Sequence, residues 1–206
     1  ALIDLLDQCD ASMDLIVLPE YSDVPGKVQD KGHYERAVQR HHDTLMKKVI
    51  ETAARCQALV FVNSAFQTQQ GYRNTTYAVA PTGQVVGKYF KAHPAPSEVK
   101  GEGQGGIGLD VSYSYTSQPP YVLEIDGVRY GFMTCYDFYF YEAFARIARE
   151  QVDIIIGCSL QRTDTHQALE IIGRFLSYQT NAYLIRASVS LGLDSEVGGA
   201  SMMVSP

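Results

Sequence analysis

"YVLEIDGVRYGFMTCYDFYFYEAFARIAREQVDIIIGCSL", residues 121–160, decides the fold because its periodicity changes along its length. Two short apolar runs meet at Asp126-Gly127, a dipeptide that favours a tight hairpin turn. The spacing then predicts a helix over Tyr141 to Glu150, followed by "DIIIGCSL" as a buried strand. A hairpin leading into a strand–helix–strand unit predicts an α/β protein with a mixed sheet. In the middle stands Cys135, a lone cysteine where an apolar run gives way to a tyrosine-rich, acidic segment. A free cysteine is among the most buried residue types, so on its own Cys135 reads as packing.

The same reading extends in both directions. "LIDLLDQC" has helical spacing, "DLIVLPE" is a short strand closed by Pro19 with Glu20 at its end, and Tyr34 to Arg55 is helical with Leu45, Val49 and Ala53 on one face. "ALVFVNSAF" is a strand, and "TTYAVAPTGQVVGKYFK" is a hairpin turning at Pro81-Thr82-Gly83. Beyond residue 160, a helix over His166 to Thr180 precedes the strand "AYLIRASV". The chain begins with Ala1 inside a helix and stops at "MMVSP", where a turn and another strand are expected. The expectation is one domain over residues 1–206 that lacks its first strand and its C-terminal segment.

Composition narrows the class. With 206 residues, 46% hydrophobic and 19% charged, the chain has enough length for a sizeable core. A net charge of −6, without a basic stripe, argues against nucleic acid or an anionic membrane as partner. No apolar run reaches the length of about 20 residues that spans a bilayer. Cys9, Cys56, Cys135 and Cys158 form no CxxC pair, so a reducing, cytoplasmic setting is expected rather than a disulfide framework. Asn74-Thr75-Thr76 matches a glycosylation sequon, which carries no meaning without secretion.

Three residues take on another meaning together. Glu20, Lys91 and Cys135 each end a predicted strand, where ligands sit in α/β sheets. A thiol needs a base to become a thiolate, and a nearby ammonium favours that form. An acyl-transfer intermediate needs positive charge or N–H donors at its oxyanion. Singly, Glu20 reads as a loop carboxylate and Lys91 as a surface lysine. Jointly they supply base, electrostatic stabiliser and nucleophile without a histidine.

Five motifs in order resemble the nitrilase superfamily, the carbon–nitrogen hydrolases. "DLIVLPE" resembles the motif of the glutamate base, and "YRNTTYAVAPTGQVVGKYFKAH" the hairpin leading to the lysine. "VRYGFMTCYD" resembles the nucleophile motif, "SYQTNAYLIRAS" the segment carrying an asparagine at Asn181, and "GGASMMVSP" a late strand. The resemblance implies a four-layer αββα sandwich with mixed β-sheets and a catalytic triad of Glu20, Lys91 and Cys135. It also implies a second glutamate, matched by Glu98. The backbone N–H of Tyr136 joins the oxyanion site, and Ser159 is expected to line the pocket. A small-molecule amide substrate is implied, with no metal or organic cofactor. Homo-oligomers are implied too, pairing through the helix after Cys135, with Phe140, Phe144 and Ile147 on its exposed side.

The chain departs from the family pattern in places. Phe138 to Glu142 replaces an Arg-Phe-Pro-Glu type segment, Thr180 stands where a glutamate is common, and there is no tryptophan. A nitrilase or an N-carbamoyl amidohydrolase are alternative readings separable by their products, and a non-catalytic binding member is a third that activity would exclude. Among remaining features, Gly103, Gly105 and Gly108 match G-x-G-x-x-G. The match lies between a Pro-containing loop and the strand-like "LDVSYSY", so a flexible loop is expected and not a nucleotide site. His41-His42-Asp43 is read as a solvated helix face, Cys158 as core, and Arg162 as an exposed loop arginine.

Overall fold

The computed structural model describes residues 2–101, 103–112 and 120–206. Its contacts divide the chain into two compact units, Ala1–Tyr113 and Ser114–Pro206. Ala1 and residues 113–115 of "LDVSYSY" lie outside the described residues.

The first unit holds helices α1 (Leu2–Gln8), α2 (Lys31–Cys56) and α3 (Pro96–Val99), with strands β1 (Leu15–Val17), β2 (Leu59–Thr68), β3 (Gly71–Val79) and β4 (Val85–Phe90). The sheet runs β1-β2-β3-β4, with β1 parallel to β2 and the other pairs antiparallel. Helix α2 starts earlier than its apolar periodicity indicates. Asp30 caps it by accepting from the backbone N–H of His33 at 2.7 Å, a start signal that precedes the first apolar residue of the stripe. The predicted face of Leu45, Val49 and Ala53 is buried against Leu6, Val60, Val62 and Val79. Pro19 has no N–H to extend the pairing of β1, so the chain turns and Glu20 is set just past the strand end. The glycine-rich stretch is a turn. Gly103, Gly105 and Gly108 all have positive φ; the short helix α3, not a strand, comes just before them, and no helix begins among the described residues that directly follow.

The second unit holds β5 (Val122–Ile125), β6 (Val128–Thr134), β7 (Ile154–Ser159), β8 (Tyr183–Ser188) and β9 (Met202–Val204), with α4 (Tyr141–Arg149) and α5 (His166–Thr180). The order is β5-β6-β7-β8-β9; β6, β7 and β8 are parallel and both edge strands antiparallel. Asp126 and Gly127 have φ of 51° and 79°, the left-handed pair that a two-residue hairpin loop requires. Two mixed sheets, each with helices packed on it, give the expected α/β class. Among the described residues no helix is long and apolar enough to cross a membrane.

One expectation is corrected here. Phe144 and Ile147 do not face outward; they are 8% and 5% exposed and pack with Met133, Phe138, Ile155, Leu176 and Leu184. Their spacing fixes a stripe on α4 but does not say whether a core or a partner covers it. Phe144→Ala should therefore cost about 3–5 kcal/mol of stability in denaturant unfolding. A variant with unchanged stability but altered sedimentation would restore the surface reading.

Candidate active site

In the first unit the strand ends bring three predicted residues together. The Lys91 ammonium lies 2.8 Å from Glu20 Oε1 and 2.7 Å from Glu98 Oε2, with all three side chains at most 5% exposed. Lys91 arrives at the end of β4, its backbone N–H donating to the Asn74 carbonyl at 3.0 Å. Glu98 arrives on the single turn of α3 and reaches back to accept from the Ala95 N–H at 2.5 Å. Asn74, in the middle of β3, donates from Nδ2 to Glu20 Oε1 and to Glu98 Oε1, each at 2.8 Å. Its Oδ1 accepts from Asn63 at 2.7 Å, and Asn63 Oδ1 accepts from the Tyr21 N–H at 2.9 Å. Tyr21 has φ of 56° and donates its hydroxyl to Glu98 Oε1. Lys91 and Asn74 thus each bond to both carboxylates.

The charges follow from the geometry. Burial pushes the Glu98 carboxyl up, but the Lys91 ammonium and the bonds from Lys91, Tyr21 and Asn74 outweigh it, so the net shift is downward. Burial and then the charge of Glu98 raise the Tyr21 phenol well above its ordinary value, which keeps it protonated as a donor. A carboxylate lowered in the folded state contributes stability above its ordinary value of 4.5, and that contribution fades as pH falls through and below it. In pH-dependent unfolding, wild type should exceed Glu98→Gln in stability near neutrality, and the gap should shrink in acid. A gap that widens in acid would contradict the charge assignment.

In the second unit, β6 runs into a 3-10 turn over Cys135–Tyr139. Cys135 is half-buried and holds φ of 47°, a left-handed conformation that costs a non-glycine residue about 1–3 kcal/mol. Asp137 locks the turn by accepting from the Thr134 N–H at 2.8 Å. Phe138 fills the space over Gly157, where a Cβ would lie 2.9 Å from its ring. Tyr139 donates to Asp164 and accepts from Gln161 at 2.9 Å, and Gln161 in turn accepts from Arg186 at 2.5 Å. The turn that carries the strained Cys135 is thus held from several sides. Ser159 ends β7, fully buried.

A family model for carbon–nitrogen hydrolases matches residues 2–206. The chain belongs to the carbon–nitrogen hydrolase family.

Solved carbon–nitrogen hydrolases share its fold at low identity. An amidase from Nesterenkonia sp. is 19% identical with a TM-score of 0.73, over 99% of this chain and 76% of that one. A double mutant of the same amidase in complex with acrylamide is 17% identical with a TM-score of 0.67, over 88% and 67%. A carbon–nitrogen hydrolase from Helicobacter pylori G27 is 18% identical with a TM-score of 0.73, over 99% and 75%. No curated protein matches the chain.

Within this carbon–nitrogen hydrolase, Glu20, Lys91 and Glu98 meet in the first unit. Cys135, Tyr136 and Ser159 belong to the strand ends of the second. Cys158 is core and Arg162 is exposed, as expected. His42 is a correction: its ring is bonded to Ser64 at 2.7 Å and to Asp23 at 3.2 Å, because the loop after β1 folds over α2. Asn74 and Tyr21 were missed. Asn74 reads as a sequon, yet it is 3% exposed, and a polar residue inside an apolar strand was the signal available.

Proposed function

We propose that the chain hydrolyses a small amide through a thioester on Cys135, with Glu20 and Lys91 completing a triad. The observation that carries this reading is the buried Glu20–Lys91–Glu98 cluster. Replacing buried charges by apolar groups is often neutral or stabilising, so stability alone is a weak reason for the cluster and a functional task is favoured. Glu20 takes the thiol proton, and the sulfur attacks the carbonyl carbon. Lys91 and the Tyr136 backbone N–H stabilise the oxyanion. The tetrahedral centre collapses as Glu20 passes its proton to the departing ammonia or amine. Water, deprotonated by Glu20, then cleaves the thioester to release the acid and restore the thiol. Glu98 holds Lys91 in place, and Ser159 lines the acyl side. An ammonium clasped by two carboxylates has no lone pair to accept a proton, which supports Glu20 as the base.

The amide class is supported by the likeness to an amidase that binds acrylamide. Association of copies would use α5, where Ile171, Phe175 and Tyr178 are 59%, 48% and 75% exposed along one face. The reading is tested by limited alkylation with peptide mapping. Cys135 should label before Cys9, Cys56 and Cys158, and prior incubation with acetamide or propanamide, which do not alkylate thiols, should slow it. Labelling of another cysteine first would remove Cys135 as nucleophile.

A further inference from the structure

β6, β7 and β8 end side by side, with Thr134 opposite Cys158 and Cys158 opposite Ala187. One step further along, Ser159 lies opposite Ser188, and Cys135 is the first residue past β6. The nucleophile and two serines therefore share one transverse row at the carboxyl end of the parallel strands. Ser159 is fully buried and the Ser188 hydroxyl is shielded, yet neither hydroxyl has a hydrogen-bond partner among the described residues. Their backbones are satisfied: Val189 N–H donates to the Ser159 carbonyl at 3.2 Å, and Ser188 N–H to Ser201 Oγ at 3.0 Å. Two residues back on the same face, the Gly157–Arg186 pair is closed by Phe138 over Gly157 and by Arg186 bonded to Gln161, Gly199 and Ala200. A shielded hydroxyl without a partner costs about 1–3 kcal/mol, and two on one row beside a nucleophile mark a place that a ligand satisfies.

We propose that Ser159 and Ser188 form a subsite for a neutral hydrogen-bonding group, a hydroxyl or carboxamide, on the acyl chain of the substrate. The inference rests on the amidase reading and deepens it. Each hydroxyl donates once and accepts, and neither is charged. The Arg186 guanidinium on the same strand face is already engaged by Gln161, Gly199 and Ala200, so a carboxylate brought against a fully buried serine would lose its hydration with little counter-charge to replace it. Adjacent strands are about 4.8 Å apart, so the polar atom should sit roughly 5–10 Å from the nucleophile position, about four to six bonds from the scissile carbonyl.

The test compares 5-hydroxypentanamide, hexanamide of equal length and glutaramate. Wild type should favour the hydroxyl amide over hexanamide by about tenfold or more in kcat/KM, mainly through KM, with glutaramate poorest. Ser188→Ala should bring the ratio close to unity. Calorimetry on Cys135→Ala should give the same preference as a difference in Kd. A ratio that is near unity in wild type, or unmoved by Ser188→Ala, overturns the subsite and leaves the hydroxyls to bound water. Preference for glutaramate overturns the neutral class. If no amide turns over while Cys135→Ala binds the hydroxyl amide more tightly, the subsite stands and the amidase reading falls.

Discussion

A Glu20→Gln enzyme should acylate about a hundred- to ten-thousandfold more slowly than wild type, the range over which a positioned general base acts. The amide retains an acceptor oxygen for Lys91 and Asn74, which both bond to Glu20 Oε1, so the cluster keeps its shape. Only the capacity to take a proton is lost. The deficit should therefore persist across the whole pH range and appear in kcat, with KM little changed. A deficit that vanishes at high pH would mean that the thiol needs only to ionise, and that Glu20 does not carry the proton to the leaving group.

Lys91→Met should lose about a hundred- to a thousandfold in turnover, the usual cost of one oxyanion donor. It should also lose stability, because two buried carboxylates, Glu20 and Glu98, would be left without their shared cation. Breaking a buried pair in this way costs about 3–5 kcal/mol. The double variant Lys91→Met with Glu98→Gln removes one of those charges and should recover part of the stability but none of the turnover. Recovery of both would make Lys91 a structural counter-ion only. If Lys91→Met is inactive while Glu20→Gln keeps most of its acylation rate, the roles of base and stabiliser are reversed.

The elements were legible where local chemistry decides them. Gly83 and the pair Asp126-Gly127 turn their hairpins with the positive φ that the sequence announces, and α5 spans the His166–Thr180 stretch expected of it. The residues of the cluster were legible as strand-end carboxylates and an ammonium. What holds them was not, since Asn74, Asn63 and Tyr21 approach from different strands and loops, and no spacing along the chain encodes such a meeting. Phe144 and Ile147 were misread for a related reason. Periodicity measures how apolar a face is, and the same stripe serves a core or an interface.

A covalent acyl-enzyme on Cys135 is tested by rapid quench of the protein with a small amide, followed by intact and peptide mass spectrometry. An added acyl mass confined to the peptide bearing Cys135 is expected, accumulating in wild type and absent in Cys135→Ala and Glu20→Gln. Amide hydrolysis that proceeds in Cys135→Ala, or an acyl mass on a different residue, would contradict it.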